Sequence, residues 1–143
     1  MRNTKIKIKE EKYIKDSINC DASFLYKKKV MEWQIKDTLT GEILSNTVME
    51  GGTSNMAEFF GVVDAMNYLE ANGANVPIYS DSNIAIGWCW KRKCGTWSDS
   101  LTDENKQLIK EYEQLLEQYD NKYKVLKWKT YLWGEIPSDF NRK

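Results

Sequence analysis

The chain has 143 residues, with 21 basic and 21 acidic side chains and no histidine, so its net charge predicts no polyanionic partner. Its length favours a single domain that buries about two-thirds of its unfolded surface, and its 41% hydrophobic content indicates a folded chain and excludes a disordered one. No apolar run approaches the roughly 18 residues of a membrane helix, and no apolar signal core follows the N-terminus, so we expect a cytoplasmic protein that does not enter membranes.

Alternating polarity marks the first third of the chain. Between Ile14 and Tyr26 most even positions are apolar or small and the odd positions are mostly polar, so a period of two predicts a strand with Asp21 on its polar side. The same period recurs over 30–37 and 43–49, with a turn signal between these segments. Three successive strands with short connections predict an antiparallel meander.

The later segments switch to helical spacing and back. In chain order they predict a helix over 55–71, a strand over 76–80, a helix over 82–90, an amphipathic helix over 102–119, a strand over 123–130 and up to two turns of helix over 137–143. The order βββ-α-β-α-α-β fits one mixed sheet flanked by helices, with no linker and no internal repeat. Right-handed crossovers would place the later strands parallel to the first.

Basic residues are unevenly distributed although the net charge is zero. Lysine is concentrated over 5–15, 27–29, 91–93 and 122–129, whereas 103–120 is acidic. This segregation permits a basic face, and solvated surface lysines are the alternative. We assign residues 1–11 to a basic N-terminal tail and residues 12–143 to one domain.

The cysteines indicate a reducing compartment. Cys20, Cys89 and Cys94 are odd in number and lack the close spacing of a zinc knuckle. A zinc site without histidine would need more thiolates than the chain has. We therefore expect buried, reduced thiols.

Four carboxylates lie at predicted element ends or on a polar strand face: Asp21, Glu58, Asp81 and Asp139. Each has a structural alternative. Glu58 stands three residues after Asn55, as in a capping box, and Asp81 would cap the helix that follows it. Asp139 would lie at the positive end of a short terminal helix, and Asp21 would be an exposed residue on a half-buried strand.

Taken together, the four carboxylates predict a metal site. If the first strand lies beside the fourth, the elements that carry them converge. Crowded carboxylates repel one another unless cations neutralise them, and oxygen ligands without His or Cys favour Mg²⁺ or Mn²⁺ over zinc. Two such ions about 3.5 to 4 Å apart support in-line displacement at a phosphodiester. We expect two Mg²⁺ ions, with Mn²⁺ as a substitute.

Four segments carry a resemblance to a known family. They are Asp-Ala-Ser at 21–23, Thr-Ser-Asn-Met-Ala-Glu-Phe at 53–59, Tyr-Ser-Asp-Ser at 79–82 and Trp-Gly-Glu-Ile-Pro-Ser-Asp-Phe-Asn-Arg-Lys at 133–143. In order and spacing they resemble type 1 ribonuclease H, in particular the short bacterial enzymes that lack a long C-terminal helix. The resemblance covers nearly everything from Ser17 onward. It implies a ribonuclease H-like α/β fold, with a mixed five-stranded sheet in the order 3-2-1-4-5 flanked by helices.

The resemblance also implies roles for the acidic residues. Asp21 would bridge both metal ions, Asp139 would complete the site of the ion that activates water, and Glu58 and Asp81 would hold the other ion. Glu135 resembles an accessory carboxylate that helps metal exchange and product release. A mobile histidine has a comparable role in other branches of the family, and this chain has none. A solvated loop residue is the alternative reading for Glu135.

Substrate contacts follow from the same resemblance. An enzyme that cuts RNA paired to DNA must sense 2′-hydroxyl groups in the wide minor groove and sense the deoxy strand separately. Ser54, Asn55 and Asn83 resemble family positions whose polar groups contact 2′-hydroxyls, and helix capping is the alternative for each.

The basic, Trp-rich stretch 88–97 would grip the DNA strand. Trp88 resembles an aromatic residue that packs on deoxyribose, and Thr53, Asn55 and Thr96 resemble parts of a phosphate pocket. The sequence departs from the short bacterial pattern over 94–97, where Thr96 lies. Lys143 is a further candidate for substrate binding.

These residues support a leading hypothesis and two alternatives. The first is a metal-dependent endonuclease that cuts the RNA strand of RNA/DNA hybrids and leaves 5′-phosphate and 3′-hydroxyl ends. A non-catalytic hybrid-binding module on the same fold is the alternative, and the complete carboxylate set argues against it. A DNA-cutting integrase or resolvase is weaker, because nothing resembles a domain that reads DNA sequence. We expect a monomer that grips the hybrid through the catalytic domain.

Overall fold

The computed structural model describes residues 11–141. Their elements are, in chain order, β1 Ile18–Leu25, β2 Val30–Asp37, β3 Ile43–Glu50, α1 Ser54–Ala71, β4 Ile78–Ser80, α2 Asn83–Lys91, α3 Asp103–Tyr119, β5 Val125–Lys127 and α4 Thr130–Trp133. Of the predicted tail only Glu11 falls within the described residues, and Lys143 falls outside them. No helix in the described part of the chain has both the length and the apolar character needed to cross a membrane.

The strands form one mixed sheet in the order β3-β2-β1-β4-β5. β1, β2 and β3 pair antiparallel, and β4 and β5 continue the sheet parallel to β1. The predicted fold class and strand order are confirmed. Short connections are enough to join the antiparallel strands β1, β2 and β3. The parallel strands β4 and β5 each follow a helix, because a parallel connection has to cross back along the sheet.

The main core lies between the sheet and α1. Phe59, Phe60 and Val63 of this helix are fully buried, and the ring of Phe60 lies 5.3 Å from that of Trp33 on β2. α1 begins after Thr53, whose hydroxyl oxygen accepts a hydrogen bond from the main-chain N–H of Met56 at 3.1 Å. Satisfying an otherwise unpaired N–H in this way fixes where the helix starts.

The first half of β1, the central strand of the sheet, is buried on its polar side as well as on its apolar side. Cys20 packs in the main core, while Asn19 and Asp21 point to the other face and are only 0% and 7% exposed. The segment that contains Ile136 and Ser138 lies near this face, because Asn19 binds the main chain of Ser138. The interpretation of Asp21 as an exposed residue is therefore wrong.

The end of the chain differs from the prediction. No helix forms over the described part of 137–143, and α4 forms at Thr130–Trp133, within the predicted fifth strand and just beyond it. β5 is only three residues long because β4 offers it only Ile78–Ser80 as pairing partners. Ser138 cannot join a helix in its present position, since side chains of the sheet bind both its main-chain N–H and its carbonyl.

All three cysteines are free and buried, in agreement with the prediction of reduced thiols. Burial raises the pKa of the Cys20 thiol well above its usual value, and burial also raises the pKa of Cys89. A buried thiol that stays protonated is a poor nucleophile and a poor metal ligand. The cysteines therefore act as small core residues.

Candidate metal centre

The parallel pairing of β1 with β4 brings two of the predicted carboxylates together. Ile18 lies opposite Ile78 and Asn19 opposite Tyr79. Continuing this register by two residues places Asp81, just after β4, next to Asp21. Asp21 lies midway along β1, whereas Asp81 follows the carboxyl end of β4, the position at which α/β folds generally place their sites.

Helix α1 brings the third carboxylate to the same place. Glu58 lies in the second turn of the helix and is half-buried. One carboxylate oxygen from each of Asp21, Glu58 and Asp81 lies within 4.8 Å of the other two. The three residues come from separate elements but form one cluster.

Asp139 and Glu135 lie near this cluster but outside the group of three. Their negative charges contribute to raising the pKa of both Asp21 and Asp81. Asp139 is half-buried and Glu135 is exposed. The structure thus places three predicted ligands within coordination range of a common point, with the fourth carboxylate nearby.

The capping alternatives for the carboxylates are wrong. Thr53 caps α1 and Ser82 caps α2, each through a hydroxyl that accepts a main-chain N–H. Glu58 and Asp81 are therefore free of that role, and Asp139 lies at no helix terminus among the described residues. Helix capping therefore does not explain why these half-buried carboxylates lie close together.

Crowding and burial strongly perturb the titration of the cluster. Burial, reinforced by the charge of Asp81, raises the pKa of Asp21 to about 7. Burial and then the charges of Asp21 and Asp81 raise the pKa of Glu58 to about 9. The pKa of Asp81 is also raised, chiefly by burial. The three groups cannot all be ionised near neutral pH without a compensating cation.

The donor set fits a hard divalent ion. Every donor in the group is a carboxylate oxygen, and Mg²⁺, Mn²⁺ and Ca²⁺ prefer such ligands. A divalent cation would replace the protons that the cluster otherwise holds. The donor set of Asp21, Glu58 and Asp81 is thus compatible with a divalent metal ion, and the geometry does not select one such ion over another.

Lys127 is a member of the site that the sequence analysis missed. It is the last residue of β5 and pairs with Ser80, and its ammonium group donates a hydrogen bond to the main-chain oxygen of Asp81. Its charge lowers the pKa of Asp81 and of Glu58, against the larger effect of burial. The signal for Lys127 is its position at the end of a strand parallel to β4, but in the sequence it is one of several lysines over 122–129.

Comparison with known proteins supports the architecture. No family model matches the chain. The N-terminal RNase H domain of a Mycobacterium tuberculosis protein, solved as a fusion with maltose-binding protein, matches 79% of this chain and 78% of its own with a TM-score of 0.52 at 14% identity. The fold is ribonuclease H-like. The protease–reverse transcriptase of prototype foamy virus matches 94% of this chain and 19% of its own, with a TM-score of 0.56 at 15% identity.

The residues predicted to contact 2′-hydroxyl groups lie close in sequence to two members of the acidic cluster. Ser54 and Asn55 are in the first turn of α1, one turn before Glu58, and Asn83 opens α2 two residues after Asp81. Ser54 and Asn83 are exposed and Asn55 is half-buried. Because Thr53 and Ser82 supply the caps, capping does not explain the polar side chains at these three positions.

The Trp-rich stretch contains both buried and exposed rings. Trp88 is half-buried, with its ring 6.0 Å from that of Phe59, and a Cβ at Gly95 would come within 2.5 Å of the Trp88 indole nitrogen. Glycine at position 95 is thus required for this close approach. Trp90 and Trp97 are instead 75% and 53% exposed. Trp90 and Trp97 therefore expose more of their rings than Trp88 does.

Lysines surround the exposed ring of Trp97. The ammonium groups of Lys106 and Lys110 on α3 lie 5.8 and 6.0 Å from its centroid. Thr96 is half-buried, and its carbonyl accepts a hydrogen bond from the thiol of Cys94 at 3.6 Å. An exposed aromatic ring flanked by cations is a typical element of nucleic-acid binding surfaces, and the sequence analysis did not select Lys106 or Lys110.

Proposed function

We propose that this chain is a metal-dependent endonuclease that hydrolyses the RNA strand of RNA/DNA hybrids, leaving 5′-phosphate and 3′-hydroxyl ends. The observation that carries the proposal is the group of carboxylate oxygens from Asp21, Glu58 and Asp81 within 4.8 Å of one another on a ribonuclease H-like fold. The mycobacterial relative is described as an RNase H domain, and the proposal extends that activity to this chain.

Two divalent ions, Mg²⁺ or Mn²⁺, would supply the Lewis acidity and the activated water for phosphodiester hydrolysis. Asp21, at the centre of the sheet, would contact both. Glu58 and Asp81 would hold one ion, and Asp139 would complete the site of the other. Glu135, which is exposed at the margin, would assist exchange of metal and release of product.

The protein's own groups prepare the site for these ions. Burial keeps bulk water away from Asp21 and strengthens its interaction with a cation. Lys127 fixes the main chain at Asp81 and lowers the proton affinity of the cluster, so that less proton release is needed when metal binds.

Selection of RNA paired to DNA would fall to residues on either side of the cluster. Ser54, Asn55 and Asn83 would read 2′-hydroxyl groups of the strand that is cut. Because these side chains stand at helix N-termini within one turn of Glu58 or Asp81, strand recognition and cutting would occur at neighbouring positions.

The other strand would be held further along the surface. Thr53, Asn55 and Thr96 would contact a phosphate of the DNA strand, and Trp88 with Trp97 would pack against its sugars. Lys106 and Lys110 beside Trp97 would add phosphate contacts. Lys143 stays a sequence-based candidate.

A non-catalytic hybrid-binding module is the second candidate function. The observation that favours it is that Asp139 lies outside the group of three carboxylates. Such a module would use the same surface and bind hybrid without cutting it.

A cleavage assay distinguishes the two candidates. Hybrid, double-stranded RNA and double-stranded DNA are incubated with the protein in Mg²⁺, in Mn²⁺ and in chelator, and binding is measured in parallel. The proposal expects metal-dependent cutting of the RNA strand of the hybrid only. Asp81→Asn should stop cutting and preserve binding, because it removes a ligand charge without changing the shape. Folded wild-type protein that binds hybrid but leaves it intact would establish the binding module instead.

A further inference from the structure

Both main-chain hydrogen-bonding groups of Ser138 are bound by side chains from the sheet. The N–H of Ser138 donates to Oδ1 of Asn19 at 2.8 Å, and Nε2 of Gln34 donates to the carbonyl of Ser138 at 2.7 Å. Asn19 and Ser138 are 0% exposed and Gln34 is 6% exposed. Buried main-chain groups must find partners, and here two amide side chains provide them.

The orientations of the two amides are fixed by their other contacts. Nδ2 of Asn19 donates to the carbonyl of Lys36 at 3.2 Å and to Oγ1 of Thr38 at 3.0 Å, so Oδ1 faces Ser138. Oε1 of Gln34 accepts from Nδ2 of Asn46 at 3.4 Å, so Nε2 faces Ser138. We call Asn19 and Gln34 together the amide clamp.

The amide clamp lies on the strand face that carries Asp21. Asn19 is two residues before Asp21 on β1, and Gln34 is the cross-strand partner of Asp21 on β2. The peptide they hold is the one that leads directly into Asp139. The charge of Asp139 accordingly reaches Asp21 and Asp81, where it contributes to raising the pKa of each.

We propose that Asn19 and Gln34 are positioning residues for Asp139, holding the Ser138 peptide so that the fourth carboxylate stands beside Asp21 and completes the metal centre. This inference rests on the proposed function. It assigns a role to two buried amides that neither the sequence analysis nor the acidic cluster itself identifies.

Other contacts attach the surrounding segment independently of the clamp. Ile136 packs with Tyr79 and Trp128, and the indole N–H of Trp128 donates to the carbonyl of Gly134 at 2.8 Å. Within residues 11–141, the hydrogen bonds of Asp139 are short-range turn contacts: its N–H donates to the carbonyl of Ile136, and its Oδ2 accepts from the N–H of Asn141. Loss of the clamp should therefore shift Asp139 while the segment stays attached.

The test measures Mn²⁺ binding by calorimetry without nucleic acid. Gln34→Met keeps the side-chain length and removes the donor to Ser138, and Asn19→Ser is a second variant in case the first folds poorly. Loss of an outer-shell partner typically weakens metal binding about 10- to 100-fold, and we expect a loss of about tenfold in each variant. Cleavage should then need a correspondingly higher Mn²⁺ concentration.

Two controls separate positioning from general loss of stability. Ser138→Ala removes only Oγ, which has no hydrogen-bond partner among the described residues, and should bind Mn²⁺ like the wild type. Asn105→Ala removes another buried amide, which donates to the carbonyl of Glu50 at the end of β3 and, among the described residues, to no carboxylate of the cluster, and should lower the melting temperature without weakening Mn²⁺ binding.

A double variant gives the decisive comparison. If the clamp acts through Asp139, Gln34→Met combined with Asp139→Asn should bind Mn²⁺ no more weakly than Asp139→Asn alone, because effects on one interaction are not additive. Additive losses, or unchanged Mn²⁺ binding in folded Gln34→Met, would overturn the clamp while leaving the proposed function intact. Wild-type protein that neither binds Mn²⁺ nor cuts hybrid would overturn both.

Discussion

The ammonium group of Lys127 donates a hydrogen bond to the main-chain oxygen of Asp81, which joins the end of β5 to the residue that follows β4. The contact places a positive charge next to carboxylates whose pKa values are raised by burial and by their mutual repulsion. The charge of Lys127 thus partly offsets the negative charge of the acidic cluster.

Lys127→Met should move the pH dependence of Mn²⁺ binding to higher pH. Because the charge of Lys127 lowers the pKa of Asp81 and of Glu58, its removal lets protons compete with the metal at higher pH. A shift of about one pH unit is the low end for loss of a nearby opposite charge. Calorimetric Mn²⁺ titrations across the pH range measure it. Lys124→Met is the matched control on the same segment. An equal pH shift in that variant would show that the effect comes from the net surface charge and not from the contact between Lys127 and Asp81.

Without metal, the protein should become less stable as pH rises from about 4 to about 9. The pKa of Asp21 is raised to about 7 and that of Glu58 to about 9, so between the unfolded and folded values the native state holds more protons than the unfolded state. Stability falls with pH when the native state binds more protons. In chelator, the melting temperature of the wild type should therefore fall more steeply than that of Glu58→Gln. Parallel curves for the two proteins would contradict this.

Added Mn²⁺ should reverse that loss. An ion that binds the native state stabilises it in proportion to the logarithm of its concentration over its dissociation constant, and fewer protons compete with it at high pH. The rise in melting temperature should be larger near pH 8 than near pH 5. Asp21→Asn should abolish most of the rise, whereas an equal rise in that variant would place the metal elsewhere.

Asp64→Asn should destabilise the fold and leave the metal centre unaffected. Asp64 on α1 accepts hydrogen bonds from the indole N–H of Trp33, at 2.6 Å, and from the hydroxyl of Tyr112. An amide has one acceptor oxygen, so one part-buried donor loses its partner, at a cost of about 1 to 3 kcal/mol. Denaturant unfolding measures the loss. Weakened Mn²⁺ binding in this variant would contradict the prediction, because it would show that the contacts of Asp64 also affect the metal centre.

Hybrid affinity should fall steeply with salt between about 50 and about 200 mM, because phosphate contacts release counterions. Lys110→Gln, next to Trp97, should reduce the salt slope by about one. Lys129→Gln is the control, since its charge is already paired with Glu11 at 2.6 Å. Binding measured at several salt concentrations gives both slopes. A flat response in the wild type would contradict a phosphate-gripping surface.

Several elements were predictable because their signal is local. The alternation over 30–37 matches β2, and the helical spacing over 102–119 matches α3, which begins after its cap Thr102. The spacing of apolar residues in these patterns involves only residues that are close in sequence, and it predicts which face of each element will be buried. α1 begins at Ser54, one residue before its predicted start, because Thr53 and not Asn55 caps it.

By itself the sequence determined the fold class, the strand order through its resemblance to a known family, and the identity of the four candidate ligands. Only the tertiary structure decided that Asp21 is buried at the centre of the sheet, that Lys127 stands beside Asp81, and that the chain forms no helix around Ser138 in the described residues. The partners of Ser138 are 104 and 119 residues away in the sequence. No local pattern reports such contacts, because hydrogen bonds across the fold override the preference of a short segment for its own helix.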